Sequence, residues 1–325
     1  MTRHLCLKMQ LVARWSKLAG AGVILSLLVT TLALAHYMVF YSEQVQRQIF
    51  AITKEVDLLK QEQAMPALVL NRYRNSICYI IGIYDVAFPH QRPIKRTRIS
   101  GTGFLVAADL VATNRHVAEP WYKDPDSDAL VAEGARPTLE KLLAYFPDSP
   151  APVNLIPTEV SPDTDLALLR MKTKPEVSVE PLPLSSEKPK AGELVAVVGY
   201  PMGVLGMVAK APSSVYARLT QQAHPADDQG TATELATLSL IRPSATCGHL
   251  GDVVGDRLIY DAPTAHGASG GPVFNSHGEV LGINTAFIDG FAGGGLGIVS
   301  EALKPLILEA QRKSNRRVGS PAPAR

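Results

Sequence analysis

The sequence predicts an all-β domain, a sandwich or a pair of barrels, behind one N-terminal apolar helix. Three observations lead there. From about Asn71 onward, short apolar runs alternate with clusters of Gly, Pro, Asp and Ser. No regular helical pattern separates those runs, which argues against a βαβ sheet. Ahead of them, Leu18 to Tyr41 contains no Asp, Glu, Lys or Arg. The 325 residues suffice for one large or two ordinary domains, and the formal charge of +2 argues against a dedicated nucleic-acid surface.

At about 1.5 Å per helical residue, Leu18–Tyr41 reaches across a hydrocarbon core of about 30 Å. Arg3, Lys8, Arg14 and Lys17 precede it. The positive-inside rule therefore leaves residues 1–17 in the cytoplasm, makes 18–41 a transmembrane signal anchor, and puts the rest on the periplasmic or extracellular side. Cleavage at Ala33-Leu34-Ala35 is the competing reading and would make the protein secreted. Val45, Ile49, Ile52, Val56 and Leu59 then recur at heptad spacing within a helical stalk over 42–66. This fits a short coiled coil that joins copies of the chain, or equally an amphipathic helix lying on the next domain. Pro66 is read as its end.

The folded domain spans 67–312. Its expected strands are Ile77–Val86, Gly103–Val106, Leu110–Thr113, Leu142–Phe146, Leu166–Met171, Leu194–Val198, Leu238–Arg242, Arg257–Tyr260, Pro272–Phe274 and Val280–Ala286. Pro120–Pro137 and Gln221–Thr233 read as polar surface loops, Ala302–Arg312 as a closing amphipathic helix, and 313–325 as a disordered tail. Cys6 precedes the apolar segment, which leaves Cys78 and Cys247 as a bridge or as two free thiols.

Gly267-Ala268-Ser269-Gly270-Gly271-Pro272-Val273 places one hydroxyl in a small-residue turn. A serine is a poor nucleophile at neutral pH and needs a base and donors for the oxyanion it creates. The glycines let successive N–H groups converge. A candidate base is His116, where the apolar run Val111-Ala112-Thr113 passes into a polar turn; taken alone it reads first as a satisfied edge histidine. Asp165, where a turn enters Leu166-Ala167-Leu168-Leu169, is the candidate orienting carboxylate. Asp163 lies further from the apolar run and reads as solvated. The order His, Asp, Ser is that of the chymotrypsin type.

Thr113-Asn114-Arg115-His116-Val117, Asp165-Leu166-Ala167-Leu168-Leu169, the run from Gly192 to Gly203, and Gly267 to Val273 resemble the four ordered motifs of trypsin-fold serine proteases. The run from His277 to Ala286 resembles the HtrA/Deg branch. The resemblance implies a double β-barrel and a serine endopeptidase acting on proteins or peptides, with His116, Asp165 and Ser269 catalytic and the N–H groups of Gly267 and Ser269 forming the oxyanion hole. It puts the substrate pocket at Pro263, Asn284, Thr285 and Ala286. Ala268 stands where digestive relatives carry an activating Asp, which argues against activation by a new N-terminus. Pro263 stands where relatives that cut after Lys or Arg carry an Asp, which points to cleavage after small or medium aliphatic residues. A PDZ domain, common in this branch, finds no room after the closing helix. A non-catalytic scaffold that binds protein partners is the alternative. No Cys/His spacing resembles a zinc motif, so no metal or cofactor is expected, and His249 and His266 read as surface or loop residues. Gly293-Gly294-Gly295 lacks the strand, helix and Lys of a phosphate loop and reads as a turn near the cleft.

Overall fold

A computed structural model describes residues 2–93, 95–222, 228–288 and 294–318. Among them twelve strands close into two six-stranded antiparallel barrels. The first barrel contains β1 (Ile77–Ala87), β2 (Lys95–Ala107), β3 (Leu110–Thr113), β4 (Arg136–Tyr145), β5 (Val153–Val160) and β6 (Ala167–Met171). The second contains β7 (Leu194–Gly199), β8 (Ser244–Val254), β9 (Arg257–Tyr260), β10 (Pro272–Phe274), β11 (Val280–Phe287) and β12 (Gly295–Val299). Helices are α1 (Thr2–Tyr73), α2 (Arg115–Ala118), α3 (Pro125–Ala132), α4 (Gly203–Ala209), α5 (Ser213–Gln222), α6 (Asp228–Thr237) and α7 (Lys304–Val318).

The chain divides into two units, 1–61 and 62–325. In the first, α1 is long and apolar enough to cross a membrane by length and composition, and its large apolar side chains from Leu18 to Tyr41 are exposed. In the second, strand periodicity explains why β1 is apolar on both faces from Ile77 to Ile83. Cys78 and Ile80 point into the first barrel, while Ile77, Tyr79, Ile81 and Ile83 point into the layer between the barrels. β7 divides likewise, with Val195 and Val197 inside the second barrel and Ala196 and Val198 in the shared layer. Tyr200 crosses that layer, and its hydroxyl donates to the Ile77 carbonyl at 2.9 Å. The site described below lies along this seam.

Several expectations are corrected. Pro66 does not end α1; Met65, Val69 and Tyr73 are buried in the second unit, and burial of that face offsets the missing hydrogen bond. Pro66 cannot donate to Glu62, and the Glu62 carbonyl instead accepts from the Cys247 thiol at 3.9 Å. Pro120–Pro137 is not all loop: Asp124 caps α3 by accepting from Ser127 N–H, with Pro125 in the first turn. Gln221–Thr233 overlaps α5 and α6, where Ala232 is buried; residues 223–227 lie outside the described set. Leu238–Arg242 is no strand. Ser239 adopts a left-handed conformation, Leu240 and Ile241 are buried from an irregular segment, and Pro243 delays pairing until β8 begins at Ser244. The closing helix continues to Val318, so residues 313–318 of the expected tail are helical, and 319–325 lie outside the described set. Of the glycine turn, Gly293 lies outside the described residues and Gly295 already opens β12. Cys78 and Cys247 are free thiols, and burial pushes both upward in pKa.

Candidate functional site

β3 ends at Thr113, and Asn114 turns the chain into the short helix α2, which carries His116. β3 pairs with β6, Thr113 opposite Ala167, so the turn that precedes β6 delivers Asp165 to His116. His116 Nδ1 and Asp165 Oδ2 are 2.7 Å apart, and the His116 backbone N–H donates to Asp165 Oδ1 at 2.9 Å. The carboxylate thus holds His116 by both its backbone and its ring. Asp163 is exposed. Asn114, fully buried, donates to the Asp165 carbonyl at 2.8 Å and to Thr285 Oγ1 at 3.1 Å. Arg115 ties the same turn to the Asp165 loop through the Ser161 carbonyl and stacks over Tyr122.

The loop ahead of β10 carries Ser269 from the second barrel. Four consecutive carbonyls in it are occupied. His266 O accepts from Met202 N–H at 2.6 Å and Gly267 O from Thr102 Oγ1 at 2.8 Å. Ala268 O accepts from Gly271 N–H and Asn284 Nδ2, and Ser269 O from Thr102 N–H at 2.8 Å. Of the corresponding amides, Ala268 N–H donates to Ala265 O and Gly270 N–H to Asn284 O. Among the described residues, the N–H groups of Gly267 and Ser269 take no acceptor. Because each peptide is trans, pinning a carbonyl directs the N–H of the next residue to the opposite side. The loop therefore withholds two backbone donors from internal bonding, at alternate residues around the hydroxyl. Gly267 (φ +90°) and Gly270 (φ +85°) make the bend possible; a Cβ at Gly270 would run into Thr102 O and Thr113 Oγ1.

The Ser269 hydroxyl donates to Thr285 O at 3.1 Å, not to His116. Of the residues expected at the substrate pocket, Pro263 is exposed and accepts from Thr246 through its carbonyl. Ala286 is exposed and Thr285 half-buried. Asn284 is 1% exposed, and its side chain supports the loop from behind: Oδ1 accepts from Tyr260 OH at 2.6 Å, and Nδ2 holds Ala268 O. Burial raises the Tyr260 pKa, keeping that hydroxyl a donor. The register of β11 against β12 shifts between Asn284 and Ala286, and this bulge at Thr285 breaks strict alternation, so Asn284 is buried while Ala286, two residues on, is exposed. Thr102 and Asn114 were not expected at the site. The signals available were a threonine between two glycines ahead of an apolar run and an asparagine just past an apolar run, two residues before the histidine.

A family model described as a trypsin-like peptidase domain matches residues 101–283. A probable periplasmic DegP-like serine endoprotease from Chlamydia trachomatis is 27% identical over 213 residues, covering 64% of this chain and 32% of the relative. Mitochondrial serine protease HTRA2 from Bos taurus is 28% identical over 217 residues, covering 66% of this chain and 37% of the relative. The chain spans about a third of the length of these curated relatives. Among solved structures, the active form of a protease from M. tuberculosis aligns with a TM-score of 0.48 at 19% identity, over 81% of this chain and 89% of that one.

Proposed function

The chain belongs to the trypsin-like peptidase family, and from that membership we propose that it is a membrane-anchored serine endopeptidase. What supports this reading is the His116–Asp165 pair and, linked to the same turn through Thr285, a serine whose own N–H and that of Gly267 are unengaged. In the proposed mechanism His116 takes the Ser269 proton as the oxygen attacks a peptide carbonyl, and Asp165 holds the ring and stabilises the imidazolium. The N–H groups of Gly267 and Ser269 receive the oxyanion. His116 then protonates the leaving amine, and water repeats the sequence to release the acyl group.

Residues 18–41 would anchor the protein in the inner membrane, with the barrels in the periplasm or an equivalent outer compartment. The arginines and lysines ahead of the segment support that orientation, and the DegP-like relatives named periplasmic agree with it. The exposed heptad positions Ile49, Ile52, Val56 and Leu59 support a stalk that joins copies of the chain. The uncharged Pro263 supports cleavage after small or medium aliphatic residues, since a cationic side chain would find no countercharge there.

A fluorophosphonate probe should label the wild type at Ser269 and leave Ser269→Ala unlabelled. Folded wild type that resists the probe would overturn the assignment. The scaffold reading has one observation in its favour, the Ser269 hydroxyl turned to Thr285 O, and the same labelling decides it.

A further inference from the structure

Two of the four pinned carbonyls in the Ser269 loop are held by one residue of the other barrel. We propose that Thr102 is a positioning residue for the oxyanion donors, clamping the Ser269 loop of the second barrel to the strand pair of the first that leads to His116. The inference rests on Ser269 being the nucleophile.

Thr102 lies in β2 and has no exposed surface. Its N–H donates to Ser269 O at 2.8 Å, and its hydroxyl donates to Gly267 O at 2.8 Å while accepting from Tyr200 N–H at 3.1 Å. Its own carbonyl accepts from Thr113 Oγ1 at 2.7 Å. Thr113 is also fully buried, stands three residues before His116, and pairs with Ala167, two residues after Asp165. One continuous set of bonds therefore joins the segments bearing all three side chains. The Gly267 carbonyl belongs to the peptide that lies between the two unengaged donors. Releasing it frees the torsions that aim Gly267 N–H and Ser269 N–H at a common point. Flanking glycines permit the approach. A Cβ at Gly101 would meet the Val117 methyls at 2.7 Å and Ser269 O at 3.3 Å, and one at Gly103 would meet Val111 at 2.6 Å.

A side chain without the hydroxyl would leave Gly267 O and Tyr200 N–H without their partner at a buried position, so the loop would move to recover a bond. A misplacement of about 1 Å remote from the reacting atoms can cost about 100-fold in rate.

Two matched pairs isolate the hydroxyl in the full chain: wild type against Thr102→Val, and Thr102→Ser against Thr102→Ala. Within the second pair the loss of the methyl that faces Gly271 is common to both members. Fluorophosphonate labelling, kcat and KM on a fluorogenic peptide with valine before the cleaved bond, and the thermal midpoint are measured per mole of folded protein. The expected result is about a 10- to 100-fold fall in kcat and labelling rate within each pair, with KM moving less than about threefold. Thr102→Ser should keep most of the wild-type kcat. If Thr102→Val does not fold, the Ser and Ala variants decide alone. A role in stability only would shift the midpoint and leave kcat per folded molecule equal within a pair, which overturns the proposal while Ser269-dependent labelling stands. Wild type that takes no label at Ser269 overturns both readings.

Discussion

At the ends of β3 and β6 an imidazole and a carboxylate meet side chain to side chain at 2.7 Å, whereas across the seam four successive backbone carbonyls hold the segment that carries Ser269. The His116 half depends on which chemical groups are present, and the strands have only to bring them into range. The Ser269 half depends on where backbone N–H groups point, and that is set by residues with no reactive group of their own: Thr102, Met202, Gly271 and Asn284. Substitutions in the first half should change chemistry at nearly constant geometry. In the second half they should change geometry at constant chemistry.

The largest effect belongs to the first half. Asp165 uses both oxygens on His116, Oδ1 for the backbone N–H and Oδ2 for the ring. Asp165→Asn keeps shape and one acceptor but presents either an oxygen or an amide to Nδ1, which favours the wrong tautomer. We expect kcat to fall about 10⁴-fold with the thermal midpoint nearly unchanged. A loss below about tenfold would show that the carboxylate is only a structural partner of the α2 turn.

Gly267→Ala tests the other half without touching a titratable group. At φ +90° the new Cβ would meet Tyr200 O at 2.5 Å and Gly203 N at 2.8 Å, both backbone atoms that cannot swing aside. The peptide carrying the first donor should rotate. The expected loss is about 10²–10³ in kcat, the range for one oxyanion donor, with KM little changed. If KM rose and kcat held, Gly267 would serve substrate binding, and the contrast between the halves would weaken.

That contrast also accounts for what the sequence revealed. His116, Asp165 and Ser269 are legible as candidates because few residue types suit the proposed chemistry and each stands where an apolar run meets a turn. Strands β3, β9 and β10 match the expected bounds for the same reason. β5 was hidden by Pro157, which the barrel accepts where the register shifts beside it, and β8 by a start in small and polar residues. α6 looked like loop because its periodicity is weak, whereas only the last two residues of α5 fell in the expected loop; Tyr145 and the shared apolar layer fix α6, through contacts such as Tyr145 OH with Thr233 Oγ1 at 3.1 Å. Thr102 and Gly267 are 165 residues apart, and no local pattern reports a bond over that distance. Asn284 was expected at the substrate pocket, whereas its buried amide braces the Ser269 loop, a direction that depends on Tyr260 and Ala268 rather than on its neighbours in sequence.

The smallest effect tests whether the Ser269 half relies on charge at all. α4, whose first turn follows the Met202 amide that holds His266 O, ends beside Lys210. Lys210 Nζ donates to Arg242 O at 2.8 Å and to Ser244 Oγ at 2.9 Å, fastening the end of α4 to the start of β8. Burial, and then the nearby Arg242 charge, lowers the Lys210 pKa below the ordinary lysine value. The unfolded chain therefore binds that proton more tightly than the folded one. Between the lowered pKa and the ordinary value the unfolded state carries more protons, so this group's contribution to stability rises with pH through that window, and the penalty it exerts below the window is relieved. Urea midpoints of wild type and Lys210→Met, compared from neutral to alkaline pH, should show a wild-type-minus-variant difference that grows with pH. Titrations of other groups are common to both proteins and cancel in the difference. If the difference shrank with pH, the ammonium charge itself would be stabilising α4, and the support of Ser269 would be electrostatic as well as geometric.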